Sequence, residues 1–207
     1  MRVLPCGTAG LLLECDDLDE VLRLYAVLHD RSPEGVVDVV PAARTVLLVL
    51  DPAVTTPDRV RAQVEGLEAG EGRETNREEQ SVVEVPVVYD GDDLDDVAEI
   101  LGCDRDEVVR RHTAGLWTVA FCGFAPGFGY LTADEGDWSI PRRDSPRTKV
   151  PPGSVALAGE FSGIYPRESP GGWQLIGRTE LAVFDLDRDP PALLAPETRV
   201  RFVVVDP

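Results

Sequence analysis

The chain has 207 residues, 43% of them hydrophobic, which is enough for one large or two small domains around an ordinary buried core. Its 38 acidic against 20 basic residues give a formal charge of −18, a field that repels phosphate backbones and anionic membrane surfaces and so argues against nucleic-acid or membrane partners. Four cysteines without a C-x-x-C pair exclude a disulfide scaffold; with no secretory pattern in residues 1–13 and no run approaching about 20 apolar residues, a cytoplasmic protein is expected.

Residues 10–14 read as a strand. Asp17 and Glu20 form a capping box that opens a helix with Leu18, Val21, Leu22, Tyr25 and Leu28 on one face. Two β-rich runs follow, 36–40 and 45–50. A second helix then starts on Thr56 as N-cap with Pro57 in its first turn, carrying Val60, Val64 and Leu67 in register. This order predicts a small open α/β sandwich over residues 1–67, with both helices on one face of an antiparallel sheet.

The stretch 68–81 is acidic, glycine-containing and almost without apolar side chains, and is read as a linker. Beyond it, 82–89 is a strand that Pro86 places at a sheet edge. Leu94, Val97, Ala98 and Leu101 share the face of a short helix ended by Gly102, and Asp104 with Glu107 caps the next. From there glycines and prolines punctuate short β-like runs at 117–121, 155–157, 182–184 and 200–205, so residues 82–207 are expected to form a compact β-barrel. The overall expectation is an α+β chain.

Three clusters carry the unusual chemistry. FCGFAPGFGYL at 121–131 combines three glycines with four aromatic rings, which lets backbone approach a ligand between flat apolar walls, or equally builds a barrel corner. It lacks the spacing of a phosphate loop, so any ATP must be held by other means or by another subunit. PRRDSPRTKVPP at 141–152 gathers Arg142, Arg143, Arg147 and Lys149 in a very acidic protein. It reads either as a carboxylate or phosphate clamp stiffened by proline, or as a surface neutralised by Asp134, Glu135 and Asp137. The third, GEFSGIYPRESPGGWQLIGR at 159–178, holds Tyr165, Arg167, Trp173 and Arg178; Ser162 is one place late for a nucleophile elbow, and Ser169 reads as a turn residue.

With two histidines and no paired-cysteine spacing, no metal site is expected. His112 follows Val108 and Val109 at helical spacing, which aims its ring at an apolar face. It is either a satisfied core histidine or the group best placed by type to move a proton.

Taken in order, the strings GFAPGFGYL, PRRDSPRTKVPPGSVALAG and SGIYPRESPGGWQLIGRT, preceded by His112 and Thr113, resemble the family of the 5-oxoprolinase B subunits. That family also holds the so-called allophanate hydrolase subunit 1, carboxyltransferase subunits C and D, and an inhibitor of a sporulation histidine kinase. The resemblance implies a small α/β module ahead of a cyclophilin-like β-barrel. It also implies a complex with a homologous second barrel subunit and a larger third subunit that opens 5-oxoproline to glutamate with ATP, the chain being inactive alone. Residue by residue it points to His112 and Tyr130 as catalytic groups. For the substrate it points to Phe124, Pro126, Gly127, Phe128, Arg142, Arg147, Lys149, Tyr165, Gly171, Gly172, Trp173 and Arg178. Gly129 and Lys149 stand where proline and arginine are frequent. The competing readings are the carboxyltransferase half of a urea carboxylase and a non-catalytic inhibitor of a histidine kinase.

Overall fold

The computed structural model describes residues 1–66, 82–136 and 138–206. The expected linker, Leu67 and Asp137 lie outside these described residues. The chain divides into two compact units, Met1–Glu79 and Gln80–Pro207.

In the first unit, β1 (Arg2–Pro5), β2 (Gly10–Glu14), β3 (Val36–Pro41) and β4 (Thr45–Leu50) form an antiparallel sheet in the order β1-β2-β4-β3. Alternation decides which side is core: Leu11 and Leu13 on β2 and Val46, Leu48 and Leu50 on β4 all point one way and are buried. Helices α1 (Leu18–Asp30) and α2 (Pro57–Val64) cover that face with Val21, Leu24, Leu28, Val60 and Val64, all in the same apolar cluster. The unit is the open α/β sandwich expected.

Its caps are those read from the sequence. The Asp17 carboxylate accepts the Glu20 N–H at 2.8 Å, while Glu20 reaches one residue further back than expected, to the Asp16 N–H. Strand β1 was not expected, because it is four residues long and largely exposed, and offers no buried alternation to read.

In the second unit, β5 (Val82–Val87) leads to α3 (Leu94–Leu101) and α4 (Arg105–Ala114). The chain continues through β6 (Trp117–Cys122), β7 (Gly129–Ala133), β8 (Arg147–Val150), β9 (Ser154–Ala158), β10 (Phe161–Ile164), β11 (Ser169–Gly171), β12 (Gln174–Arg178) and β13 (Arg199–Val204). Seven strands run in the order β12-β9-β10-β7-β6-β13-β5, and β8 and β11 form a separate two-stranded ribbon. The ends of the seven-stranded sheet meet where Val88 and Arg178 exchange two backbone hydrogen bonds of 2.9 Å, so the barrel is nearly closed. A glycine is required at this seam: a Cβ on Gly91 would lie 2.3 Å from the Leu175 carbonyl oxygen.

Strand β9 shows how the barrel separates two cores. Val155 and Leu157 face the interior with Trp117, Leu131, Ile164, Ile176 and Phe202, whereas Ala156 and Ala158 face outward into a second cluster with Phe128, Tyr165, Trp173 and Leu175. Residues 182–184, expected as a strand, make only an isolated bridge between Phe184 and Ala192. Their apolar side chains pack instead of pairing: Val183 enters the barrel core and Phe184 lies against Gly127. Among the described residues no helix is long and apolar enough to cross a membrane.

Candidate functional site

The outward cluster opens into a cleft of about 80 Å³ lined by Phe124, Phe128, Tyr130, Arg142, Tyr165, Gly171, Gly172 and Trp173. All eight were singled out from the sequence, and they come from all three motifs. The floor is the outer face of the barrel sheet. Phe128, 2% exposed, stands at the centre, with its ring 5.1–5.3 Å from those of Phe124, Tyr130, Tyr165 and Trp173 in edge-to-face contacts.

Two glycines make that packing fit. A Cβ on Gly163 would sit 2.8 Å from the Phe128 ring and 3.0 Å from that of Trp173, and one on Gly171 would sit 2.3 Å from the Tyr165 hydroxyl. At the rim, Phe124 is 56% exposed and holds φ at +64°, a left-handed backbone that costs a side-chain-bearing residue about 1–2 kcal/mol.

The cleft's polar groups are two phenols and one guanidinium. Burial pushes the Tyr130 and Tyr165 hydroxyls up, with the positive charge of Arg142 acting against it at both and a backbone hydrogen bond from Trp173 also lowering Tyr165. Both phenols therefore stay protonated at neutral pH and serve as hydrogen-bond donors. Arg142 is exposed and, among the described residues, has no carboxylate partner. An unpaired cation between protonated phenols and flat apolar walls can receive the carboxylate of a small planar molecule.

The other charged candidates are placed elsewhere. Arg147 gives both terminal nitrogens to Asp93 at 2.8 Å, and Arg143 donates to the same carboxylate, so the expected clamp at Arg147 is already occupied by the protein. Lys149 is exposed and pairs with Glu168 at 3.1 Å; Arg178 lies at the barrel seam, paired with Asp90 at 3.0 Å. Pro126 is on the exposed side of its loop, and Gly127 is buried behind it against Phe184. The acidic partner shared by Arg143 and Arg147 is therefore Asp93, with Asp92 also near Arg147, and not Asp134, which binds Arg199.

His112 is fully buried on the other side of the sheet. Its Nδ1 meets the Tyr89 hydroxyl at 2.7 Å and its Nε2 the Ser162 hydroxyl at 3.0 Å, among the rings of Trp117, Trp138 and Phe202. Burial pushes it down to about 3, so it is neutral. Ser162 points inward, while its neighbour Gly163 lies outward beneath Phe128. The sheet thus stands between the imidazole and the cleft, and His112 is the satisfied core histidine of the two readings.

Asp93 was missed. It is hidden within a run of five aspartates between positions 90 and 96, and nothing local distinguishes the one whose side chain is 2% exposed. Burial alone would raise its carboxyl, but the bonds from Arg147 and the Leu175 N–H, together with the charges of Arg147 and Arg143, outweigh this and hold it below the ordinary carboxylate range.

The sequence profile of the carboxyltransferase domain, subdomain C and D, matches residues 1–194. The chain belongs to that family. As a carboxyltransferase-domain protein it is 37% identical over 193 residues to the 5-oxoprolinase B subunit of Bacillus subtilis, covering 86% of this chain and 79% of that one. The crystal structure of TTHA0988 superposes with a TM-score of 0.76 at 38% identity over 96% of this chain, which spans only 40% of that longer protein. The urea carboxylase of Kluyveromyces lactis shares the fold at a TM-score of 0.71 and 19% identity, over 100% of this chain and 23% of its own.

Proposed function

We propose that this carboxyltransferase-domain chain is one subunit of a cytoplasmic, ATP-dependent 5-oxoprolinase. It would act with a homologous second barrel subunit and a larger third subunit, and be inactive alone. The observation that carries the reading is Arg142, a guanidinium with no carboxylate partner among the described residues, beside two protonated phenols in an aromatic cleft. It is supported by likeness to a protein named as the B subunit of that enzyme.

In this reading Arg142 receives the substrate carboxylate while Phe128 and Trp173 hold the flat five-membered ring. Tyr130 or Tyr165 donates a hydrogen bond to the lactam oxygen, where negative charge builds as the carbonyl is attacked. Water adds to the carbonyl, the carbon–nitrogen bond breaks and the ring nitrogen leaves as the amine of glutamate. A second water takes the terminal phosphoryl group of ATP, giving ADP and phosphate, and the ATP is held by the partners, because this chain has no phosphate loop.

The test is glutamate release from 5-oxoproline and ATP by the chain mixed with its neighbour-encoded partners, with this chain omitted as control. Activity that depends on the chain is the expected result. A complete mixture that co-purifies but leaves 5-oxoproline untouched would overturn the substrate and send the search to ureas and other cyclic amides. Co-purification with a histidine kinase instead would favour the inhibitor reading.

A further inference from the structure

Asp93 occupies the N-cap position of α3, yet its side chain makes no bond to that helix. An aspartate at this position ordinarily accepts a backbone N–H of the first turn. Here every acceptor direction is turned elsewhere. Oδ1 takes Arg143 Nη1 and Arg147 Nη2, and Oδ2 takes Arg147 Nη1 and the Leu175 N–H at 2.7 Å.

The same segment is fastened on both sides of Arg142. The Pro141 carbonyl accepts from Gln174 Nε2 at 3.2 Å, and the Arg143 N–H donates to the Gly172 carbonyl at 2.8 Å. Residues 172–175 thus hold the arginine segment through its backbone while Asp93 holds it through its side chains. Trp173, which lines the cleft together with Arg142, belongs to that stretch.

We propose that Asp93 is a positioning residue for the cleft: by binding Arg143 and Arg147 it fixes the segment that presents Arg142 to the substrate. The inference rests on the reading that Arg142 receives the substrate carboxylate. Without the Asp93 charge, Arg143 loses its counter-ion and Arg147 keeps only the more distant Asp92 at 3.6 Å, the two guanidiniums repel each other, and the segment is free to carry Arg142 out of register. A displacement on the order of 1 Å at a binding group costs as much as about 100-fold in rate.

The experiment is a double-mutant cycle in the assembled enzyme, with kcat and KM for 5-oxoproline measured for Asp93→Asn, Arg142→Ala and the pair. Arg142→Ala is expected to raise KM at least about tenfold. Asp93→Asn should raise KM in the same way with a smaller change in kcat, and should add almost nothing in the Arg142→Ala background. Effects of the two substitutions that multiply would overturn the inference and leave the Arg142 reading standing. An Arg142→Ala enzyme with unchanged KM would sink both. Should Asp93→Asn fail to fold, Arg143→Lys keeps the charge but loses the planar fork, and is put through the same cycle with the same expected outcomes.

Discussion

Arg142 and Arg143 are adjacent in the chain and end on different partners: Arg142 lines the open cleft, while Arg143 is bound to the buried Asp93. Substitution should separate them. Arg142→Ala is expected to leave the urea unfolding midpoint within about 0.5 kcal/mol of the parent, because it breaks no ion pair among the described residues. Arg147→Ala removes two of the bonds to Asp93 and should lower stability by about 3 kcal/mol. Equal stability of the two variants would contradict the division of labour.

His112 makes stability depend on pH. Its folded value of about 3 lies below the 6.5 of an unburied imidazole, so the unfolded chain binds the extra proton first. The contribution is complete above 6.5 and is lost progressively as pH falls from there toward 3. It amounts to roughly 5 kcal/mol over the whole window. Urea unfolding at pH 7 and pH 4 should show a larger drop for the parent than for His112→Gln. Parallel drops would mean that the ring is solvated.

Gly171→Ala tests the shape of the cleft without touching a charge. The new Cβ would lie 2.3 Å from the hydroxyl of Tyr165, which is 2% exposed and lines the cleft. The expected cost is about 1–3 kcal/mol of overpacking strain, together with loss of substrate binding because Tyr165 is pushed across the site. Calorimetric titration with 5-oxoproline measures the second effect. Unchanged affinity would place the substrate elsewhere.

Phe124 pairs a strained backbone with an exposed ring at the rim. Phe124→Gly relieves the left-handed conformation and loses edge contacts to Phe128 and Tyr165. Thermal unfolding should therefore change by less than about 1 kcal/mol, the two effects offsetting each other. Affinity for a flat ligand should fall several-fold, as expected of a wall kept for function at the expense of local strain. A clear loss of stability with no change in affinity would make the ring a packing element.

The parts of this fold legible in the sequence are those whose causes are local. Asp17, Thr56 and Asp104 each accept the N–H three residues on, and the alternation of Val46, Leu48 and Leu50 needs only its own strand to be read. The gathering of Phe128, Tyr165 and Trp173 was legible as motif membership. What escaped is set by partners distant in the chain. Asp93 is chosen from its neighbouring aspartates by residues 54 positions away, and the apolar run at 182–184 serves as packing because Gly127 leaves room for Phe184. His112 shows the limit most plainly: its spacing aims it at an apolar face, and only the sheet tells which side of the barrel that face is on.

Strand β10 is flanked on both sides, with Ser162 opposite Leu131 of β7 and Leu157 of β9, and Gly163 opposite Ala156. A slide by one residue that set the serine beneath Phe128 would bring Phe161 into its place facing His112, starving the interior of a hydrogen bond and filling the floor of the cleft at once. The domain's chemistry and its foundations are thus written in consecutive letters of one short strand. Evolution can exchange residues there one face at a time, but a single inserted or deleted residue would disable both together.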